Sequence, residues 1–276
     1  MRTSSVIKSG KKREVDSEKN ENERCNGSHS RGKISVVGIG PGALKHMTPK
    51  AKQEIEQADV IVGYATYMKL VRSIVKPHTE VISGRMGREV ERARIAVKYA
   101  LKNKHVVVVS SGDAGVYGMA GVVLEAAALE NAEFPIEIVP GVTAATVAAA
   151  NLGAPLVTDF AVISLSDLLT PWAAIEKRLE AAAEADFVIV LYNPRSPGRT
   201  EPLTKAHQIL LRYRKPETPV GIVRMAGRDG EEVEVTTLKA MINAEINMVT
   251  TVVVGNSTTR VVNGRMVTPR GYDFSE

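Results

Sequence analysis

From residue 33 onward the chain alternates two kinds of hydrophobic pattern. Short β-branched runs, ISVVG (34–38), DVIVG (59–63), HVVVVS (105–110) and IEIV (136–139), are almost unbroken. The segments 48–58 and 88–102 instead carry apolar residues three and four apart. Unbroken runs of strand length predict strands buried on both faces, and their alternation with helical periodicity predicts βαβ units around a parallel sheet. Thr48 followed by Pro49 predicts the start of the first helix, a hydroxyl cap ahead of a proline in the first turn.

A small-residue helix is expected over 144–151, and Leu152-Gly153-Ala154-Pro155 then reads as a linker. A second unit follows, with strands at AVISL (161–165), DFVIVLY (186–192) and PVGIVR (219–224) and helices at 171–185 and 200–213. Asp229-Gly230 and Asn263-Gly264 each stand between apolar or β-branched runs and predict tight hairpin turns. The pattern therefore predicts an α/β protein of two α/β domains, 33–150 with a mainly parallel sheet and 159–276 with a mixed one. Residues 1–32 lack apolar periodicity, and a charged, disordered leader is expected there.

Composition narrows the function. Of 276 residues 44% are hydrophobic and only 4% aromatic, which argues against a protein that reads nucleic acid by base stacking. The net charge of +5 lies mostly in the leader: through Lys33 there are nine Lys/Arg against five Asp/Glu, leaving 27 against 26 beyond. The single cysteine, Cys25, excludes an internal disulfide and a cysteine-built metal site. His29, His46, His78 and His207 show no metal spacing, so no protein-held metal is expected. With no apolar signal core and no run of membrane-spanning length, the chain reads as soluble and cytoplasmic.

Three glycine-rich turns carry the candidate chemistry: VVGIGPG (36–42), SSGDAGVYGMAG (110–121) and PGVTAA (140–145). Each follows a strand, so all three are expected at the carboxyl edge of one sheet, where ligands of open α/β sheets bind. Glycine there lets backbone approach a ligand, and a valine at Gly112 is expected to block that approach. Gly38, Gly40 and Ala43 also fit a dinucleotide fingerprint. Against that reading, Thr48-Pro49 starts the helix too late, and Asp59 opens its strand instead of closing it.

In order and spacing these three turns resemble the tetrapyrrole methylases, a family of S-adenosylmethionine-dependent methyltransferases, over residues 33 to about 270. FAVISLSDLLTPW (160–172), LYNPRSPGR (191–199), VGIVRMAGRDGEEV (220–233) and TTVVVGNSTTR (250–260) resemble in particular the branch acting at C(17) of precorrin-3B or cobalt-precorrin-3, with contraction of the ring. Ala114 stands where many members have Pro, and Met225 where Asn is expected. The resemblance implies a homodimer with the cofactor in a cleft between the two domains. It implies S-adenosylmethionine contacts at Gly40, Pro41, Ser111, Gly112, Asp113, Val116, Thr143 and Ala144, with Tyr192, Asn193 and Ala226 from the second domain. A carboxylate in such a turn can also serve as its cap.

Methyl transfer from a sulfonium needs alignment more than a catalytic triad, and no general base is assigned. A corrinoid substrate carries many carboxylates, which call for arginine forks. Candidates are Arg85 and Arg88, Arg195 and Arg199, and Arg224 and Arg228, with Arg195 and Arg199 the preferred pair. Arg88, Arg92 and His105 read equally well as solvated helix or strand-edge residues. No membrane or nucleic-acid partner is expected.

Overall fold

The computed structural model describes residues 32–274, and all but the last residue of the expected leader lie outside that range. The first half runs β1 (Lys33–Gly38), α1 (Pro49–Gln57), β2 (Val60–Tyr64), α2 (Ala65–Val71), β3 (Glu80–Gly84), α3 (Glu89–Ala100), β4 (His105–Ser110), α4 (Ala120–Leu129) and β5 (Ile136–Val139). The strands form one parallel sheet in the order β3-β2-β4-β1-β5. Alternate residues of its central strands face opposite layers. Ile34, Val36, Val60, Val62, Val106 and Val108 pack with α3 and α4, whereas Val37, Ile61, Val107 and Val109 pack with α1 and α2. Burial on both faces is why these strands read as unbroken apolar runs. Each such side chain contributes roughly 1.5–3 kcal/mol.

Thr48 caps α1 as expected, its hydroxyl accepting Ala51 N–H at 3.1 Å, with Pro49 in the first turn. At the opposite, amino-terminal edge of the sheet Glu54 is almost wholly buried and accepts from Ser35 Oγ (2.6 Å), Lys33 Nζ (2.9 Å) and Lys50 Nζ (2.6 Å). Burial alone would raise its carboxyl, but the hydrogen bonds from Lys33, Lys50 and Ser35 prevail and hold it at about 2. His105 belongs to this network through Ser35, at 3.1 Å. Arg92 departs from the solvated reading. It is buried, with its guanidinium between the Arg85 carbonyl (2.6 Å) and Glu89 (2.8 Å).

The second half runs α5 (Ala144–Leu152), β6 (Gly153–Ala154), β7 (Phe160–Ser164), α6 (Trp172–Glu184), β8 (Val188–Tyr192), α7 (Glu201–Tyr213), β9 (Pro219–Arg224), β10 (Glu232–Thr237), β11 (Thr250–Val254), β12 (Arg260–Val262) and β13 (Arg265–Val267). Its main sheet, β10-β9-β11-β8-β7, is mixed: β7 and β8 are parallel and the other pairs antiparallel. One face packs on α6 and α7, the other on α5. Thus α5, on the first side of a division at residue 150, buries Ala145, Ala148 and Leu152 against the second sheet. Gly221 leaves the space that Leu152 fills.

The 152–155 stretch is not a bare linker. Its glycine and alanine form β6, which pairs in parallel with β13 of the C-terminal hairpin. Asn263-Gly264 makes the expected two-residue turn of that hairpin, both residues with positive φ. Asp229-Gly230 departs from expectation. The β9–β10 connection spans residues 225–231, because it folds across to the first glycine turn instead of reversing tightly.

Candidate functional site

The strand order brings β4, β1 and β5 side by side, so the three glycine turns, far apart in sequence, leave the sheet next to one another. Backbone joins the first two directly. Gly40 and Gly112 exchange N–H···O bonds of 3.0 and 2.8 Å. A Cβ at Gly38 would stand 2.7 Å from both Gly112 O and Gly141 N, and one at Gly141 would overlap the Gly112 carbonyl. At Gly112 a Cβ would find ordinary room, 3.7 Å from Thr143 Cα, but φ is +65°. The bulk argument therefore belongs to Gly38 and Gly141, and the argument at Gly112 is backbone conformation.

Asp113 ties two turns together: Oδ1 accepts Gly115 N–H (2.8 Å) and Oδ2 accepts Gly141 N–H (2.9 Å). Tyr192, at the carboxyl end of β8, reaches the third turn. Its hydroxyl accepts Ala145 N–H (2.6 Å) and lies 2.5 Å from Thr143 Oγ1, so it caps α5 in place of the Thr143 side chain. Burial pushes this phenol up, with the Thr143 and Ala145 hydrogen bonds acting against it. Tyr117, in the second turn, crosses to the free edge of β7, where its hydroxyl donates to Val162 O and accepts Ser164 N–H, both at 3.1 Å.

Between the carboxyl edge of the first sheet and the matching edge of the second lies a cleft of about 620 Å³, within the ~300–1,000 Å³ typical of small-molecule sites. The first half contributes Pro41, Ser111, Gly112, Asp113, Val116, Thr143 and Ala144, and the second contributes Tyr192, Asn193 and Ala226. Of the expected cofactor contacts only Gly40 stands behind this lining, holding Gly112. Open backbone and small side chains at one wall fit a folded adenosyl group. Residues the sequence reading missed also line it: Tyr64 and Tyr67 on and beside α2, Met86, Leu168, and Met248 to Thr251 at the start of β11. No glycine turn marks Leu168 or the 248–251 segment, and only the antiparallel course of β11 brings its first residues to this edge.

The arginines separate by what they already hold. Arg199 lines the cleft, but its guanidinium donates to Leu165 O and Asn193 O, both at 2.9 Å, fixing the loop after β8. Arg195 lies outside the lining, with a buried Nε that has no partner among the described residues. Arg85 is exposed and outside the lining, its carbonyl accepting from Arg92. Arg224 is paired with Glu232 and Glu245. Arg228 does line the cleft, with Nε donating to Pro41 O at 2.5 Å and Nη2 3.4 Å from Ser111 Oγ.

Asp59, the acid weighed for a ribose, sits at the opposite edge and accepts His105 N–H at 2.8 Å. Among the described residues no three His, Cys, Asp or Glu side chains gather as a metal cluster. None of their helices is long and apolar enough to cross a membrane.

Residues 33–242 match the model of the tetrapyrrole (corrin/porphyrin) methylases. A cobalt-factor III methyltransferase of Priestia megaterium is 50% identical over 246 residues, 88% of this chain but 45% of that protein, so the chain spans about half of that relative. A probable cobalt-factor III C(17)-methyltransferase of Salmonella typhimurium is 48% identical over 87% of this chain and 99% of its own length. Among solved structures, the methyltransferase CobJ superposes with a TM-score of 0.80 at 37% identity, covering 86% of this chain and 100% of that one. By the match over residues 33–242 and the identity to these relatives, the chain belongs to the tetrapyrrole methylase family.

Proposed function

We propose that this chain transfers the methyl group of S-adenosylmethionine to C(17) of a precorrin-3B-type macrocycle, metal-free or carrying cobalt, within cobalamin synthesis and with contraction of the ring. The observation that carries this reading is the cleft: three side-chain-poor turns on one wall, and on the other the β8, β9 and β11 ends that contain the C(17)-branch motifs. The names of the full-length relatives point to the same carbon.

The donor supplies an activated sulfonium methyl, and the protein's task is alignment. Holding nucleophile and methyl in line accounts for roughly 7–11 kcal/mol of a barrier. The junction of Gly40 with Gly112, braced by Asp113, holds the donor wall rigid. Tyr192 and Tyr117 set the distance of the second wall from it. Asp113 is the one carboxylate lining the cleft among the described residues, and both its oxygens accept backbone N–H groups, so it braces the turns instead of moving a proton.

Incubation with methyl-¹³C donor and cobalt-factor III or precorrin-3B should give one labelled methyl at C(17) by NMR. Label at C(11) or C(20) would keep the family and overturn the position. The reading includes a cytoplasmic homodimer with domains at 33–150 and 159–276, and sedimentation velocity at micromolar concentration should show twice the chain mass.

A further inference from the structure

Of the two arginines that line the cleft, Arg199 is already spent on carbonyls, and Arg228 is the exception. Its guanidinium lines the cleft, and no carboxylate of the described residues lies within 4 Å of it. Of five N–H donors, one meets Pro41 O and one approaches Ser111 Oγ, and Nη1 has no partner among the described residues. The cation is nonetheless held firmly. Gly42 leaves the space for its stem, since a Cβ there would stand 2.5 Å from Arg228 Cγ. The β9–β10 connection is pinned to the first turn by Ala43 N–H to Gly227 O at 2.9 Å. Tyr67 lies close enough that Arg228 acts against the rise that burial gives its phenol. A half-buried guanidinium aimed into a cavity, fixed by two neutral acceptors and matched by no anion among the described residues, is set to receive an anion.

We infer that Arg228, with Ser111 beside it, is a carboxylate-binding subsite of the cleft. The inference rests on the methyltransferase reading and adds a residue-level role to it. Two ligands of that reaction carry carboxylates, the methionine arm of the donor and the side chains of the tetrapyrrole. Arg228 touches the first and second turns, so it stands within reach of either.

The test compares S-adenosylhomocysteine with 5′-methylthioadenosine, which lacks the amino-acid arm, by calorimetry on the wild-type protein and on Arg228→Gln. Glutamine keeps a donor for Pro41 O while removing the charge. If the donor's carboxylate sits here, Arg228→Gln binds S-adenosylhomocysteine roughly 10- to 100-fold more weakly and methylthioadenosine as before. If the tetrapyrrole's carboxylate sits here, both nucleosides bind unchanged while the corrinoid KM rises by a similar factor at saturating donor. Both results support the subsite and identify its ligand. Equal weakening of both nucleosides, or no change in either affinity or in KM, would overturn it. Failure of the wild-type protein to bind either nucleoside would instead overturn the methyltransferase reading, and the subsite with it.

Discussion

Seven described residues other than glycine have positive φ, and five of them are Asn or Asp, which tolerate that region. The other two, Tyr117 at +53° and Met225 at +53°, both line the cleft. A side chain that lacks a short polar group costs of order 1–3 kcal/mol in such a conformation. The motif comparison that expects Asn at 225 thus has a backbone reason, which the sequence did not display. Met225→Asn should raise stability by about 1 kcal/mol, seen as a higher denaturant midpoint at unchanged slope. Glu54 offers a second test at the other edge of the sheet. Its carboxyl is depressed from 4.5 to about 2, so its contribution is full above 4.5 and is lost as pH falls through 2. Glu54→Gln should cost about 2 kcal/mol at pH 7, and the difference from wild type should shrink towards pH 2. A constant difference across that range would contradict this account.

At the level of elements, the apolar runs and the Thr48-Pro49 start were legible because their cause is local: burial on both faces and a capped first turn. Several of the missed elements have causes that are not local. β3 is an edge strand with half-polar sequence, and α2 follows β2 without a break or a capping side chain. β6 exists only because β13 returns to pair with it. The site divides the same way. The glycine turns announced themselves, whereas the role of Asp113 as a brace, the engagement of Arg199 with carbonyls and the freedom of Arg228 each depend on at least one neighbour 28 to 187 positions distant. Tyr117→Phe tests one such long-range tie. Its hydroxyl meets β7 where water also reaches, so the loss of stability should stay below about 1 kcal/mol. Because it sets the spacing of the walls, the donor KM should rise more than kcat falls.

At the scale of the molecule, α5 buries its apolar face on the second sheet while its first turn belongs to the site of the first. The two sheets should therefore lose structure together. Trp172, the one tryptophan, lies on α6 and reports the second half alone, so its fluorescence and the far-UV signal of the whole chain should share one denaturation midpoint. Two separated transitions would show that the halves are independent. S-adenosylhomocysteine at a hundred times its Kd should add about 2.7 kcal/mol, moving that midpoint as a single step.

The junction of Gly38, Gly112 and Gly141 bears on how such an enzyme can be given a new substrate. It contains no side chain, and two of its three positions admit none, so mutation has almost nothing there to adjust. Useful variation is left to the facing wall, in the segments 165–171, 193–199, 225–231 and 247–249. A library built to redirect methylation to another ring carbon belongs in those four loops. Libraries spread over the glycine turns should return mainly insoluble protein.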